Sequence, residues 1–178
     1  MVGRFDFNQA KKHYLSENRY VKEQVLNLTA SQKNKFLAYL ENNLKDENKF
    51  YIYNYVYNNC ATKIRDIIDV VLDNNIIYKE NFSELSIRNL MDLYLGQQEW
   101  GDLVIDICLG SEIDKKSNYY SSMFLPDFLY NSLEEATLSD GSKIIYKTYI
   151  SEPATTNEKY YFTTPFNFFF LLLIVTLF

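Results

Sequence analysis

The chain has 178 residues, 47% hydrophobic and 17% aromatic, enough for one domain with a core and too apolar for a disordered chain. Its net charge of -5, with basic pairs only at Lys11–Lys12 and Lys115–Lys116, argues against a nucleic-acid partner, because phosphate binding needs clustered cations. Two cysteines, Cys60 and Cys108, cannot build a disulfide framework, although one bridge between them stays open, and a single histidine excludes a His-rich metal site.

In chain order, residues 5–19 carry no clear pattern. The run Tyr20 to Leu28 is rich in β-favouring residues and predicts a strand. Thr29 or Ser31 then caps a helix over Lys33–Leu44, with Phe36, Leu37, Leu40 and Leu44 on one face. Phe50 to Tyr57 (FYIYNYVY) predicts a strand or an extended approach. After Asn58 and Asn59, the residues Ile64, Ile67, Ile68, Val71 and Leu72 recur at helical spacing, so a core-facing helix should begin near Cys60 with Asn as its cap. Ser83 or Ser86 caps the next helix, which Gly96 stops. Leu103–Leu109 is a helix or a buried strand, which makes Cys108 a core residue. Pro126 sits in the first turn of a helix through Glu135, Ser139-Asp140-Gly141 is a turn, and Lys143–Ile150 is a strand.

A polar tether then leads to Phe168–Phe178, apolar except for Thr176. Counted from Pro165 this is about 14 residues, where a spanning helix needs about 20. The uncharged, non-alternating crowd of Phe and Leu predicts the start of a transmembrane helix, entered at Pro165 behind Tyr160 and Tyr161; a buried C-terminal strand or helix is the competing reading. The N-terminus, Met-Val-Gly-Arg-Phe-Asp-Phe, has no apolar core of signal-peptide length.

Cys60 is the residue that could carry chemistry. A cysteine attacks through its thiolate, and a helix start offers unpaired N–H groups that favour an anion and can hold an oxyanion. Cysteine opening a buried helix behind an aromatic strand is the arrangement of papain-like hydrolases. A small residue buried at a helix start fits the same spacing.

The run from Tyr51 to Asp66, ending in Asn-Cys-Ala-Thr-Lys-Ile-Arg-Asp, resembles the signature of the periplasmic N-terminal domain of Lnb-type bacterial lipoprotein N-acyltransferases. Val21–Thr29 upstream, Ile105–Gly110 with Asp114, and Met123–Leu129 resemble further blocks of that family in the same order, so the resemblance spans residues 20–150. It implies an α+β fold, helix-rich: a circularly permuted papain-like domain over residues 1–155 and a partial transmembrane segment over 163–178. It implies a seat in the inner membrane of a Gram-negative bacterium, facing the periplasm, and no cofactor. It also implies that Cys60 takes an acyl chain from a phospholipid as a thioester and passes it to the N-terminal amine of a diacylated lipoprotein. The family's histidine lies in a Gly-His segment upstream of the Phe5-Asp6-Phe7 block, and His13, in Lys-Lys-His-Tyr-Leu, does not match it. The chain therefore reads as cut at both ends. A papain-like hydrolase or amidase of the cell envelope, and an inactive truncated copy, stand as the alternatives.

Three neighbours are candidate supporting residues. Arg65 and Asp66 orient the site or bind a lipid phosphate, or, the reading their adjacency favours, form a structural ion pair. Asn59 either caps the helix alone, the reading its position favours, or caps it and also helps polarise a carbonyl. Asp106 and Asp114 belong to a family block with no role beyond capping or turn formation.

Overall fold

In the computed structural model, residues 5–79, 85–96, 98–153 and 164–177 are described. The elements run α1 (Phe7–Ser16), β1 (Val21–Leu26), α2 (Ala30–Leu44), α3 (Cys60–Val71), β2 (Ile76–Ile77), α4 (Ile87–Leu95), α5 (Glu99–Leu109), α6 (Tyr119–Ser122), α7 (Pro126–Glu135), β3 (Thr137–Leu138), β4 (Ile145–Ser151) and α8 (Pro165–Leu177). The fold class is α+β and helix-rich. Two compact units emerge: Met1–Asn81 with Tyr119–Asn157, and Phe82–Asn118 with Glu158–Phe178.

The first unit is built around α3. Ile67, Ile68, Val71 and Leu72 are buried there with Met123, Leu129 and Leu133, and Phe36, Tyr39 and Leu40 of α2 pack against this cluster. β1 pairs antiparallel with β4, Val21 opposite Ser151 and Gln24 opposite Thr148, with a register shift at Val25/Leu26. One face of this ribbon meets α7: Lys22 bonds Asp127, Gln24 donates to the Tyr130 carbonyl, and Thr148 donates to Glu134. Side chains alternate along a strand, so Glu23 points the other way, and there it pairs with Lys11 of α1. The β2–β3 pair closes on the turn before β4, where Gly141 takes a φ of +83° that a side chain would resist.

The caps follow the sequence. Thr29, Asn59 and Ser86 each accept from the backbone N–H three residues on, and Gln32, Thr62 and Asn89 answer as capping boxes. Pro126 opens α7. Several expectations change. Residues 7–16 are helical, capped by Asp6, and none of them is buried. Leu37 and Leu44 are exposed, so the buried face of α2 turns to Phe36, Tyr39 and Leu40 instead. Phe50–Tyr57 is not a strand but a loop closed by a bridge between Asn54 and Asn58. Ile64 is 52% exposed although it falls on the apolar stripe of α3. Cys108 is exposed, since α5 is a helix with no buried residue, and both thiols are free.

In the second unit, Ile87, Leu90, Met91 and Ile113 are buried. Arg88 bonds both Asp106 and Asp114 and donates to the Gly110 carbonyl at 2.9 Å, which gives those two aspartates the partner that the sequence left unassigned. Trp100 of α5 packs edge-on against Phe168 of α8. α8 has 13 residues, and among the described residues no helix is long and apolar enough to cross a membrane. The expected cap at Ser83 and the entry at Tyr160 and Tyr161 lie outside the described residues.

Candidate functional site

Cys60 is the first residue of α3, and its thiol is exposed. It opens into a cavity of about 300 Å³ within the first unit. From α3 come Cys60, Ala61 and Ile64; from α7 come Asp127, Leu129, Tyr130 and Leu133; from β1 come Lys22 and Gln24. Among the described residues that line it, Lys22 and Asp127 are the charged ones, and they bond each other at 2.7 Å. That bond, followed by the opposing cost of burial, leaves Lys22 above its ordinary range. The two charges cancel, and the remaining wall is largely aliphatic and aromatic.

Asn59 fixes the helix start. Its Oδ1 accepts from the Thr62 N–H at 2.9 Å, and its Nδ2 donates to the carbonyls of Tyr55 and Phe124, both at 2.8 Å. One buried amide thus ties the 50–57 loop, the start of α3 and the approach to α7. Both of its donor hydrogens are engaged, so the geometry shows a clamp rather than a group aimed at a carbonyl in the cavity.

Arg65 is buried and points away from solvent. Its Nε and Nη2 donate to Asp66 Oδ1 at 2.9 and 2.7 Å, and its Nη1 donates to the Tyr120 carbonyl at 3.1 Å. The guanidinium lies 3.9 Å from the centre of the Tyr120 ring. Behind it, Asp69 accepts from the hydroxyls of Tyr78 and Tyr120 at 2.7 and 2.8 Å. Burial, then the bond to Asp69, pushes the Tyr120 hydroxyl up to about 12 and the Tyr78 hydroxyl higher still, so both remain donors. Arg65 and Asp66 therefore brace α3 against the α6 segment.

His13 rides on α1, which pairs with Glu23 on the face of β1 opposite the cavity, and its own neighbour is Glu17 at 3.6 Å. It does not line the Cys60 cavity. Sequence reasoning missed Lys22, Asp127 and the outward turn of Ile64. The one available signal was an isoleucine on the core stripe one turn after the cysteine.

Among the described residues, one acidic cluster could hold a cation: Asp92, Asp102 and Asp106 of the second unit, whose carboxylates lie within 4.8 Å of one another. Arg88 already neutralises Asp106. One oxygen each of Asp92 and Asp102 is buried with no hydrogen-bond partner. Burial, followed by the charges of Asp92 and Asp106, raises the Asp102 carboxyl above its ordinary range. A group raised in the folded state favours folding below its unfolded pKa and loses that advantage as pH rises through the folded value. Asp102→Asn should therefore raise the melting midpoint at pH 7 by roughly 1–4 °C and lose that gain near pH 3. Thermal melts at the two pH values check this, and an equal or opposite shift at both would show that crowding is not the cause.

A profile of one family, described as the Lnb N-terminal periplasmic domain, matches residues 2–92, just over half of the chain. The match takes in β1, the 50–57 loop, Cys60 and all of α3, while the resembling blocks at 105–110 and 123–129 lie beyond it. No curated protein and no solved structure matches the chain.

Proposed function

The chain belongs to the Lnb N-terminal periplasmic domain family, and from that premise we propose that it performs acyl transfer through a Cys60 thioester. The donor is a phospholipid and the acceptor is the N-terminal amine of a diacylated lipoprotein, at the periplasmic face of the inner membrane. The observation that carries this reading is the apolar, charge-balanced cavity into which the exposed thiol opens.

The chemistry has two halves. The thiolate attacks the ester carbonyl, the new S–C bond forms as the C–O bond breaks, and the released lysophospholipid oxygen takes a proton. The acceptor amine then attacks the thioester, a C–N bond replaces the S–C bond, and the thiol is regenerated as the amine loses its proton. The N–H groups of Thr62 and Lys63 are taken up by Asn59, so those of Cys60 and Ala61 would be the donors to the tetrahedral oxyanion. Support for a papain-like ancestry comes from a cysteine at a helix start beside an antiparallel ribbon. Ile64, Leu129 and Leu133 along the wall suit a hydrocarbon chain, which favours the acyl reading over a hydrolase of polar substrates.

A series of N-alkylmaleimides of increasing chain length tests this on Cys108→Ser protein, with N-acetylcysteine as the reference thiol. Alkylation of Cys60 should accelerate about twofold to fourfold per added methylene. It should level off when roughly ten water-sized groups fill the cavity. Ile64→Glu, at a half-exposed position the fold tolerates, should flatten the series. A rate independent of chain length would remove the acyl reading and leave the hydrolase; a thiol unreactive to every reagent would remove both.

A further inference from the structure

The cavity beside Cys60 has a direction. The starts of two helices meet there. Asn59, just before Cys60, donates to the Phe124 carbonyl at 2.8 Å, and Phe124 lies shortly before Pro126 opens α7. The thiol and the first turn of α7 are therefore at one end. β1 gives the same axis independently. Its Lys22 bonds Asp127 in that first turn, whereas its Gln24 donates to the Tyr130 carbonyl at 3.0 Å and to Glu134 at 2.8 Å, further along the helix. Both amide hydrogens of Gln24 are thereby committed to α7.

Along this axis the wall changes from open to closed. Pro126, Leu129, Tyr130 and Leu133 line the cavity as one helical stripe of α7. At a rise of about 1.5 Å per residue the stripe is about 10 Å long. Cys60 and Pro126 are exposed at its start, while Leu129 is 5% and Leu133 4% exposed. Both leucines belong to the buried cluster that continues through Ile67, Ile68 and Val71 of α3. The thiol and the ion pair thus sit at the mouth, and Leu133, at the far end, backs onto close-packed core.

A chain joined to Cys60 through its carbonyl lies one way in such a cavity, with the carbonyl at the mouth and the alkyl carbons toward Leu133. The volume of about 300 Å³, at roughly 30 Å³ for a group the size of a water molecule, holds about ten such groups. A longer chain must turn out along the open side, past Ile64, whose side chain is 52% exposed.

We propose that Leu133 is the specificity-determining residue of this site: it is the end wall that fixes how many carbons next to the thioester are sheltered, about ten. Among donors that differ only in chain length, discrimination is then steep below that limit and absent above it. The inference rests on the acyl-transfer reading for the identity of the chain, and the position of the end wall is measured separately from it.

The test runs N-alkylmaleimides of two to fourteen carbons on Cys108→Ser protein carrying Leu133→Ala, Leu133→Phe or no further change, each normalised to N-acetylcysteine. Without a change at 133, the gain of about twofold to fourfold per methylene should stop near ten carbons. Leu133→Ala should move the break about two or three carbons later, since it removes that many carbons from the wall, and Leu133→Phe should move it earlier. Phe36→Leu, which alters the α2 side of the core and does not line the cavity, should lower the melting midpoint and leave the break in place. A break that stays put in both Leu133 variants overturns the proposal and leaves the acyl reading standing, because longer chains are still preferred. If neither variant folds, the parent series decides: a rise that continues through fourteen carbons overturns the end wall, again without touching the acyl reading. A parent series flat from the start removes the acyl reading, and the end wall with it.

Discussion

Cys60→Ser should abolish the hydroxylamine-labile acyl adduct and lower transfer to a diacylated lipopeptide by about 10⁴-fold or more, the loss typical of removing a covalent nucleophile. The check is mass spectrometry of the peptide containing residue 60 after incubation with phospholipid vesicles, followed by a lipopeptide N-acylation assay. Cys108→Ser should leave both readouts unchanged, because Cys108 sits on α5 in the second unit and lines no part of the cavity. Serine is isosteric at this exposed helix start, so the fold should not be at issue, and a melting curve confirms that. Retained transfer by Cys60→Ser would end the thioester mechanism. If the unsubstituted protein forms no adduct, the reading of an inactive copy takes its place.

The second large effect is on stability. Asn59→Ala removes a helix cap, costing about 1 kcal/mol. It also leaves the buried carbonyl of Phe124 and the part-buried carbonyl of Tyr55 without their donor, at about 1–3 kcal/mol for the first and less for the second. A net loss of about 3 kcal/mol corresponds to a midpoint about 6–12 °C lower for a chain of this size. Asn59→Asp separates the two contributions. It keeps an acceptor for the Thr62 N–H but presents a carboxylate to two carbonyls, so it should be at least as damaging as alanine despite being a good cap residue. Thermal denaturation followed by circular dichroism decides this, and an aspartate variant as stable as the parent would mean the two carbonyl bonds contribute nothing.

That clamp also shows where the sequence was readable. The cap at Asn59 and the stripe Ile67, Ile68, Val71 and Leu72 follow from local chemistry, because a polar cap and a 3.6-residue period are written in adjacent residues. The same period misplaced Ile64, since spacing identifies a face but not what lies opposite it, and opposite Ile64 is a cavity. Residues 50–57 have the composition of a strand, yet the Asn54 side chain captures two backbone N–H groups and turns the chain instead. Residues 7–16 bury nothing, so no apolar stripe announced α1. The pairing of Lys22 with Asp127, 105 residues apart, had no local signal at all.

The ribbon of β1 and β4 joins residues 21–26 to residues 145–151, and the chain between them leaves the first unit at Asn81 and returns at Tyr119. Closing so long a loop must be paid in entropy before its contacts return anything. Synthesis and export proceed from the N-terminus, so β1 and α3 emerge well before α7 supplies Leu129, Leu133 and Asp127. Until then the thiol has neither its apolar wall nor the partner of Lys22. The cavity around Cys60 is thus completed only when α7 has emerged, and an incompletely exported chain carries an ordinary surface thiol there.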